Sequence, residues 1–377
     1  MLSRVFRPAL TLAVEQWRFQ RALKRPSGFK RTKNHSGRLE GRYLLSTDQG
    51  LILADSAGVY QITTFGVFGL AIDGDAVYVA ALDGEDSVVF VGHADAITAP
   101  SSQFEWRELY RVSKTGHSGR IHQICVCNGC LWLSNTAQNS LVKIDRFSGA
   151  WMGAFAPFKC SFGHPILTDH NHVNAVSAFP NFMLFGAFRA NRQSAFGVCG
   201  AGEVRLYLYK NMGIHDCVIS GNDLFFSDSY RMFDNGVVGG CICVNGEYKF
   251  SDYFDENPAG FVRGLAGTDG ELVVGNSVTG PRAERFNGRG ELIVFGSQGF
   301  KDRFNIPAAQ VYDIIRLDGT HFDNPAMPNT FSDACSVLER ALGPPAEVLM
   351  LSDLLVGPSG SKKFSVDDRG DISEYGV

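Results

Sequence analysis

The sequence predicts an all-β fold, a six-bladed β-propeller, and three observations carry this prediction. A strand–turn–strand motif recurs at intervals of roughly 40 to 55 residues, the length of one four-stranded blade. The chain contains 42 glycines and 29 phenylalanines, which suits many short strands joined by tight turns. The segments between the strand-like runs lack the periodicity of a helix, which argues against an α/β fold.

The clearest copy of the motif covers residues 214–229. Ile214–Ser220 has the composition of a strand, Gly221-Asn222-Asp223 tolerates the positive φ of a tight turn, and Leu224–Ser229 forms a second strand that ends in small polar residues. Five further copies align with it, two of them weakly. The position of His215 is occupied, in chain order, by Phe68, His122, Asn174, His215, Arg263 and Tyr312.

The copy that contains Tyr312 lacks its own second strand, because the following His321–Pro325 is not strand-like. Three strand-like segments near the other end of the chain supply the missing partners: Tyr43–Asp48, Leu51–Ala54 and Val59–Ile62. A blade made of one C-terminal inner strand and three N-terminal outer strands closes the ring and leaves no unpaired sheet edge.

These elements divide the chain into a basic N-terminal extension at residues 1–40, a propeller at 41–319 and a C-terminal extension at 320–377. The C-terminal extension is expected to hold one helix, with Ser332 as its N-cap and Gly343 after its last residue, Leu342. Residues 1–40 carry a net charge of +8, which leaves −12 for the rest of a chain whose overall charge is −4. The basic extension is expected to dock on the acidic body or stay solvated; the alternatives are contact with an anionic membrane surface and a transit peptide.

Composition also excludes several classes of function. No apolar run is long enough to cross a bilayer, and the first residues lack a secretory signal, so we expect a cytoplasmic protein with no transmembrane segment. The nine cysteines include Cys125, Cys127, Cys241 and Cys243 inside apolar strand-like runs, where thiols act as small buried hydrophobes in a reducing compartment. Because the body is acidic, nucleic-acid binding is not expected.

The six equivalent positions predict a functional pocket. The inner strands of a propeller begin around the mouth of the central channel, so these six side chains converge there. A position with a single packing role would repeat one residue type, whereas five of these six are polar or ionisable. The polar residues that end the second strands are expected to approach the same mouth; they are Asp48, Asn135, Asp228 and Asn276.

A divalent metal is the predicted occupant of the mouth, with His122, His215 and Asn174 as its ligands. Imidazole and amide oxygen suit Zn, Fe, Mn or Ca to different degrees, and the segment Asp169–His172 adds two imidazoles at the rim. No close-spaced metal motif is present, and a histidine at a strand start more often caps a loop by hydrogen bonding.

The predicted catalytic residues are Arg263, Tyr312, His172 and Asp228. Arg263 is expected to clamp an anion; the alternative is an ion pair with Asp228 or a neighbour. Tyr312 or His172 would transfer a proton, although Tyr312 is equally suited to filling the channel.

The aligned blades resemble the superfamily of six-bladed propellers that includes gluconolactonase, senescence-marker lactonases, strictosidine synthase and NHL-repeat proteins. A nearer resemblance, in Leu131–Thr136, Asp169–Asn174 and Gly213–Ser229, is to a family of uncharacterised bacterial propellers. The lactonases are similar in placing a divalent ion at the channel mouth on Glu, Asn and Asp ligands. By this resemblance Asn174 would correspond to the asparagine ligand of the lactonases, whereas His122 and His215 do not match any of their ligands.

Two functions follow as hypotheses. The first is a metal-assisted hydrolase, lyase or isomerase that acts on a small anionic metabolite at the channel mouth. The second is a non-catalytic propeller module that binds a peptide, glycan or protein partner.

Overall fold

The strands form six antiparallel sheets, the blades, arranged around one axis. A computed structural model describes residues 30–33, 39–84, 86–95, 106–112, 121–159, 171–189, 193–211, 213–232, 238–256, 260–268, 271–279, 285–317, 328–356, 363–366 and 372–375. Blades are numbered in chain order. The innermost strands contact one another in cyclic order, so the ring is closed.

The strands of the first three blades come mainly from the N-terminal half of the chain. Blade 1 contains β1 (Lys30–Lys33), β2 (Tyr43–Thr47), β3 (Gly50–Asp55) and β4 (Gly58–Gln61); blade 2 contains β5 (Val67–Asp73), β6 (Ala76–Asp83), β7 (Asp86–His93) and β8 (Arg107–Val112); blade 3 contains β9 (Ile121–Cys127), β10 (Cys130–Asn135), β11 (Ser140–Asp145) and β12 (Trp151–Phe155). A short 3₁₀ helix at Thr136–Gln138 follows β10.

The remaining blades follow the same order, from the innermost strand outward. Blade 4 contains β13 (Val173–Phe179), β14 (Phe182–Arg189), β15 (Gln193–Gly200) and β16 (Glu203–Tyr209); blade 5 contains β17 (Ile214–Ser220), β18 (Asp223–Met232), β19 (Val238–Val244), β20 (Glu247–Lys249) and then helix α1 (Ser251–Glu256); blade 6 contains β21 (Phe261–Thr268), β22 (Glu271–Ser277), β23 (Glu291–Gly296) and β24 (Gly299–Asn305). The last innermost strand, β25 (Val311–Arg316), belongs to blade 1.

The ring closes as the sequence predicts. β25 pairs antiparallel with β2, with Leu44 opposite Ile315 and Leu45 opposite Ile314. β3 and β4 complete the blade, and β1 adds a fifth strand at its outer edge. The predicted six-bladed, all-β architecture is therefore confirmed. Of the basic extension at 1–40, most lies outside the described residues.

The C-terminal segment runs along the outer edges of two blades. Helix α2 (Phe331–Leu342) is followed by β26 (Glu347–Met350), which pairs with β16 of blade 4. A 3₁₀ helix at Leu351–Asp353 leads to β27 (Leu355–Val356), which pairs with β12 of blade 3. A separate hairpin joins β28 (Lys363–Val366) and β29 (Ile372–Tyr375). Blades 3 and 4 are thus five-stranded.

The N-cap of α2 is Thr330, so the prediction of Ser332 was wrong. The backbone of Thr330 is extended, and its hydroxyl accepts a hydrogen bond from Asp333 N at 3.1 Å. The Thr330 hydroxyl also donates to the Asp333 carboxylate at 2.7 Å, which satisfies the helix start on both sides. Ser332 lies one residue inside the helix. Within the described residues no helix combines the length and the apolar character needed to span a membrane.

Hydroxyl groups at or just after the ends of the second strands bind blades 3, 5 and 6 to the blade that follows each of them. Thr136 Oγ1 donates to Val173 O at 2.6 Å, from blade 3 to blade 4. Ser229 Oγ donates to Val262 O at 2.8 Å and Ser277 Oγ donates to Val311 O at 3.1 Å. All three hydroxyl-bearing residues are buried. The small polar residues that end the repeat motif are therefore joints between blades.

Replacing Thr136 by Val is expected to lower the free energy of unfolding by about 1 to 2 kcal/mol, because the Val173 carbonyl loses its donor in a dry interface. Urea denaturation followed by tryptophan fluorescence measures the change. Thr64→Val, at an exposed threonine, is the matched control and is expected to change stability by less than about 0.5 kcal/mol. Equal effects of the two substitutions would contradict the assigned role of the hydroxyl.

Candidate functional site

The residues at the mouth are aimed by an irregularity that recurs in all six blades. In five blades the pairing between the inner strand and its second strand shifts register at the position of His215 or its equivalent, and in blade 6 it shifts one residue later, at Gly264. In blade 4, for example, Val173 pairs with Ala187 and Ala175 with Gly186, which leaves Asn174 unpaired. A bulge of this kind bends the strand and redirects a side chain. It turns one side chain per blade toward the axis.

These six side chains line one cavity of about 780 Å³ at the mouth of the channel. They are Phe68, His122, Asn174, His215, Arg263 and Tyr312. The volume lies in the range of small-molecule sites. The repeat thus places six different side chains around a common space, and the roles assigned to them stay predictions.

Histidines form one side of the cavity. Asn174 Nδ2 and His215 Nδ1 lie 3.1 Å apart and share a hydrogen bond. The rings of His122 and His172 meet edge to face, with their centroids 5.2 Å apart. His172 has a positive φ of 55°, an uncommon backbone conformation for a residue other than glycine. Its neighbour His170, together with Asp169, lies outside the described residues.

His215 is held neutral by its surroundings. Burial lowers its pKa well below the ordinary value, and Arg263, His172 and other nearby cationic groups lower it further. The acceptor nitrogen of the neutral ring is Nδ1, because the Asn174 Nδ2 group beside it is able only to donate.

Arginines and aromatic rings form the opposite side. The Arg263 guanidinium lies 5.8 Å from the centre of the Tyr312 ring, and Tyr312 in turn lies 4.7 Å from the ring of Phe68. Arg285 also lines the cavity. Arg263 Nε is buried and makes no hydrogen bond. Among the described residues no carboxylate lies within ion-pair distance of Arg263, so the expected alternative, a pair with Asp228, is not formed.

Of the four polar second-strand ends, only Asp48 lines the described cavity, and its carboxylate is already engaged. Asp48 Oδ1 accepts hydrogen bonds from Ala309 N at 3.0 Å and Gln310 N at 2.7 Å. Asn135 caps the 3₁₀ helix that follows it, and Asn276 accepts a hydrogen bond from Gly260 N at 2.6 Å. Asp228 is fully buried behind the mouth, where it accepts from Asn211 Nδ2 at 3.1 Å. The expectation that all four approach the mouth was therefore wrong for three of them.

A layer of polar side chains, two of them buried and one partly buried, lies directly beneath the mouth, one residue further along the inner strands. Gln123, Asp216 and Asp313 occupy this position in blades 3, 5 and 1, and each binds the backbone of the next blade. Val176 N donates to Gln123 Oε1 at 2.6 Å, Gly264 N to Asp216 Oδ2 at 2.7 Å, and Leu70 N to Asp313 Oδ2 at 3.3 Å.

The layer alternates between large polar and small residues. Blades 2, 4 and 6 carry Gly69, Ala175 and Gly264 at the equivalent position. A side chain at Gly264 would meet Ile314 of blade 1, and the φ of Gly264 is +71°. This layer was not predicted from the sequence, because the prediction used only the preceding position of each inner strand. The signal was present as alternation between Gln or Asp and Gly or Ala.

Both carboxyl groups of the layer have raised pKa values. Burial raises the pKa of Asp216 to about 6, against the lowering effect of Gly264 N and Arg263. Burial raises the pKa of Asp313 well above its ordinary value, and the neighbouring charge of Asp216 adds to the effect. Gln123 Nε2 donates to Asp216 Oδ1 at 2.9 Å and so links the layer. The channel therefore has a cationic mouth above a weakly acidic floor.

Comparison with known proteins gives structural likeness only. No protein-family description matches the chain, and no curated protein matches it. A chain in the crystal structure of a nidogen/laminin complex is similar over 73% of this chain and 97% of its own length, with 10% identity and a TM-score of 0.49. Kuenenia stuttgartiensis hydrazine synthase is similar over 64% of this chain and 66% of its own, with 14% identity and a TM-score of 0.39. Neither likeness bears on the residues of the cavity.

The neutral state of His215 predicts a pH-dependent stability. Its folded-state pKa lies below the unfolded value of 6.5, so the stability is complete above pH 6.5 and declines as the pH falls below it. His215→Gln is expected to flatten this decline by up to about 1.4 kcal/mol per pH unit. Urea denaturation between pH 7.5 and 5.5 measures it.

His93→Gln is the control, because the His93 side chain is 81% exposed. Its pH profile is expected to follow that of the wild type. If the His215→Gln profile also runs parallel to the wild type, the folded protein does not hold His215 neutral.

Proposed function

We propose that this chain binds a small organic anion in the mouth cavity and transforms it as a hydrolase, lyase or isomerase. The observation that carries the proposal is Arg263, a half-buried guanidinium whose Nε has no partner and which faces the cavity. A buried donor of this kind is costly unless a ligand satisfies it. Carboxylate and phosphate match the guanidinium fork in both charge and geometry.

The charge distribution around the cavity supports an anionic ligand. Arg263 and Arg285 line the cavity together with three imidazoles, whereas the carboxylate that lines the described cavity, Asp48, is occupied by two backbone N–H groups. A concave site lined mainly by one sign of charge attracts ligands of the opposite sign. The aromatic wall of Phe68 and Tyr312 suits the carbon skeleton of such a ligand.

Proton transfer is assigned to His172 and Tyr312. His172 reaches the cavity beside His122, and Tyr312 lies next to Arg263, close to where the anionic group of a ligand would sit. Imidazole and phenol are both able to donate or accept a proton at a bound substrate. Asp228 is not proposed as a catalytic residue, because it lies behind the cavity wall.

A divalent metal is proposed as the cofactor, held by His122, His215 and Asn174. Asn174 Oδ1 is buried without a hydrogen-bond partner and offers a free acceptor atom, whereas the acceptor nitrogen of the neutral His215, Nδ1, is bound by Asn174 Nδ2, which the ion would replace. Two nitrogen donors favour Zn, Fe or Mn over Ca, which prefers oxygen ligands. When bound, such an ion polarises a carbonyl or activates water. Membership of the gluconolactonase, strictosidine synthase and NHL superfamily is part of this proposal.

The second candidate is a binding module for a peptide, glycan or protein. Phe286 supports it, because this cavity-lining side chain is 52% exposed at the rim. Exposed aromatic residues are common anchors in interfaces. We also propose a cytoplasmic location, supported by the eight described cysteines, which are all free thiols. Contact of the basic residues 1–40 with an acidic surface is proposed on their charge alone.

Loss of Arg263 is expected to weaken anion binding. Arg263→Gln should raise the dissociation constant of the best ligand in a panel of phosphate, citrate and sugar phosphates by about 10- to 100-fold, the value of a charge-assisted hydrogen bond. Calorimetric titration measures it. Arg303→Gln, at an arginine whose side chain is 52% exposed outside the cavity, is the control. Equal affinities of the two variants would refute an anion clamp at Arg263.

Metal analysis separates the enzyme from the binding module. His122→Ala and His215→Ala are each expected to lose one equivalent of metal relative to the wild type, because each removes a ligand from the same ion. His93→Ala should retain the wild-type content. If both mouth variants contain as much metal as the wild type, the result would favour the binding module.

A further inference from the structure

Blade 5 holds a second group of metal-ligating side chains, separate from the mouth. A carboxylate oxygen of Asp228 and the Sγ atoms of Cys241 and Cys243 all lie within 4.8 Å of one another. All three residues are completely buried. Asp228 on β18 pairs directly with Cys241 on β19, and Cys243 lies two residues further along β19, so the strand geometry directs the three side chains to one face.

We propose that Asp228, Cys241 and Cys243 bind a thiophilic divalent ion, of the zinc type, between blades 4 and 5. Tyr209 of blade 4 completes the site as the fourth ligand. One carboxylate and two thiolates form a donor set that selects zinc over calcium or magnesium.

The position of Tyr209 supports a tetrahedral arrangement. Its hydroxyl lies 3.5 Å from Asp228 Oδ2 and 3.5 Å from Cys243 Sγ. A hydrogen bond between hydroxyl and carboxylate is usually about 2.7 Å long, so the first distance is long for a direct bond. Ligands around a tetrahedral ion with bonds of about 2.0 to 2.3 Å stand roughly 3.3 to 3.8 Å apart. The separation of the two oxygens therefore fits ligand atoms that share an ion, whereas the separation of oxygen and sulfur suits both a hydrogen bond and a shared ion.

The equivalent positions in other blades show whether the fold itself requires thiols on this face of the sheet. The residues of blade 6 that correspond to Cys241 and Cys243 are Glu291 and Ile293, and those of blade 3 are Ser140 and Val142. In blade 6 the residue equivalent to Asp228 is Asn276, which binds Glu291 and backbone and so needs no ion. The propeller therefore does not require thiols at these positions.

Neighbouring side chains orient and neutralise the cluster. Asn211 Nδ2 donates to Asp228 Oδ2 at 3.1 Å, and Tyr230 N donates to Asp228 Oδ1 at 3.0 Å. Such second interactions fix metal ligands in other proteins. The Arg231 guanidinium stacks 4.2 Å from the centre of the Tyr248 ring and pairs with Asp255 at 2.9 Å. The charge of Arg231 acts on the Asp228 carboxylate and on Cys241, and it offsets part of the negative charge that develops when the two thiols release their protons to an ion.

Cobalt titration of the reduced full chain tests the site. Co²⁺ bound to thiolate gives an intense charge-transfer absorption that a histidine site lacks, so the mouth and this cluster are distinguishable. We expect one equivalent of thiolate-bound Co²⁺, displaced by Zn²⁺. Cys241→Ser and Cys243→Ser should each weaken binding at least about tenfold and reduce the band, and Asn211→Ala should weaken it by about 10- to 100-fold.

Two controls isolate the cluster. Cys217→Ala removes a buried thiol of the same blade, and the double variant His122→Ala/His215→Ala removes the proposed mouth ligands; both should keep the band. Absence of the band from the folded wild type, or its persistence in Cys241→Ser, overturns the proposal. Because this test does not involve the cavity, its result is independent of the function proposed there.

A measurement on the wild type tests the site even if the cysteine variants fail to fold. Alkylation without denaturant, which proceeds through local openings of the fold, is mapped by mass spectrometry and should slow at least about tenfold more at Cys241 and Cys243 than at Cys217 when Zn²⁺ is added, because the ion covers the two thiolates directly. Cys217, a buried thiol of the same blade, reports any general stabilisation of the folded state by the ion. Equal protection of all three cysteines would leave no specific site and refute the assignment.

Discussion

The inner edges of the six sheets are the feature on which the rest of the structure depends. Each inner strand pairs with its own second strand on one side, and its other edge faces the narrow channel, where unpaired backbone N–H groups are costly. The polar layer of Gln123, Asp216 and Asp313 satisfies three of these groups, each on the following blade. Because a large side chain alternates with a small one, the three acceptors fit side by side. The layer thereby joins the blades and supports the bulges that aim the mouth residues above it.

This floor also shapes the electrostatics of the mouth. Above an apolar channel, the two arginines and three histidines of the cavity would repel one another when charged. Burial and Arg285 lower the pKa of Arg263, and Asp216, beneath it, is one of the groups that oppose this lowering. Burial is also the main cause of the lowered pKa of His215, and the cationic groups around it add to the effect. The mouth therefore combines cationic groups with a neutral histidine, which is the arrangement that the proposed anion site requires.

The repeat made the fold and the mouth predictable because both follow from the strand period alone. Bulges at equivalent positions guarantee that residues such as His122 and His215 meet at the axis. The second-strand ends were predicted less well, since hydrogen bonds of loops and of neighbouring blades compete for polar side chains there. Asn276 binds Gly260 N and Asp228 turns behind the cavity wall. The polar layer beneath the mouth was not predicted for a different reason. Each of its contacts joins two blades, and a comparison of single positions does not reveal the alternation of large polar and small residues.

Blade 5 differs most from its neighbours, and the differences fall on three consecutive levels of the same sheet. Its inner strand supplies His215 to the mouth and Asp216 to the floor, while its second and third strands supply Asp228, Cys241 and Cys243 to the interface with blade 4. Ile214, which pairs with Asp228, directly precedes His215. An ion between blades 4 and 5 would therefore brace the strand that carries His215, and the Asn174–His215 hydrogen bond spans the same two blades. Such an ion would make this interface more rigid and would thereby connect the buried cluster with the two mouth side chains, although the chemistry of the two places is separate.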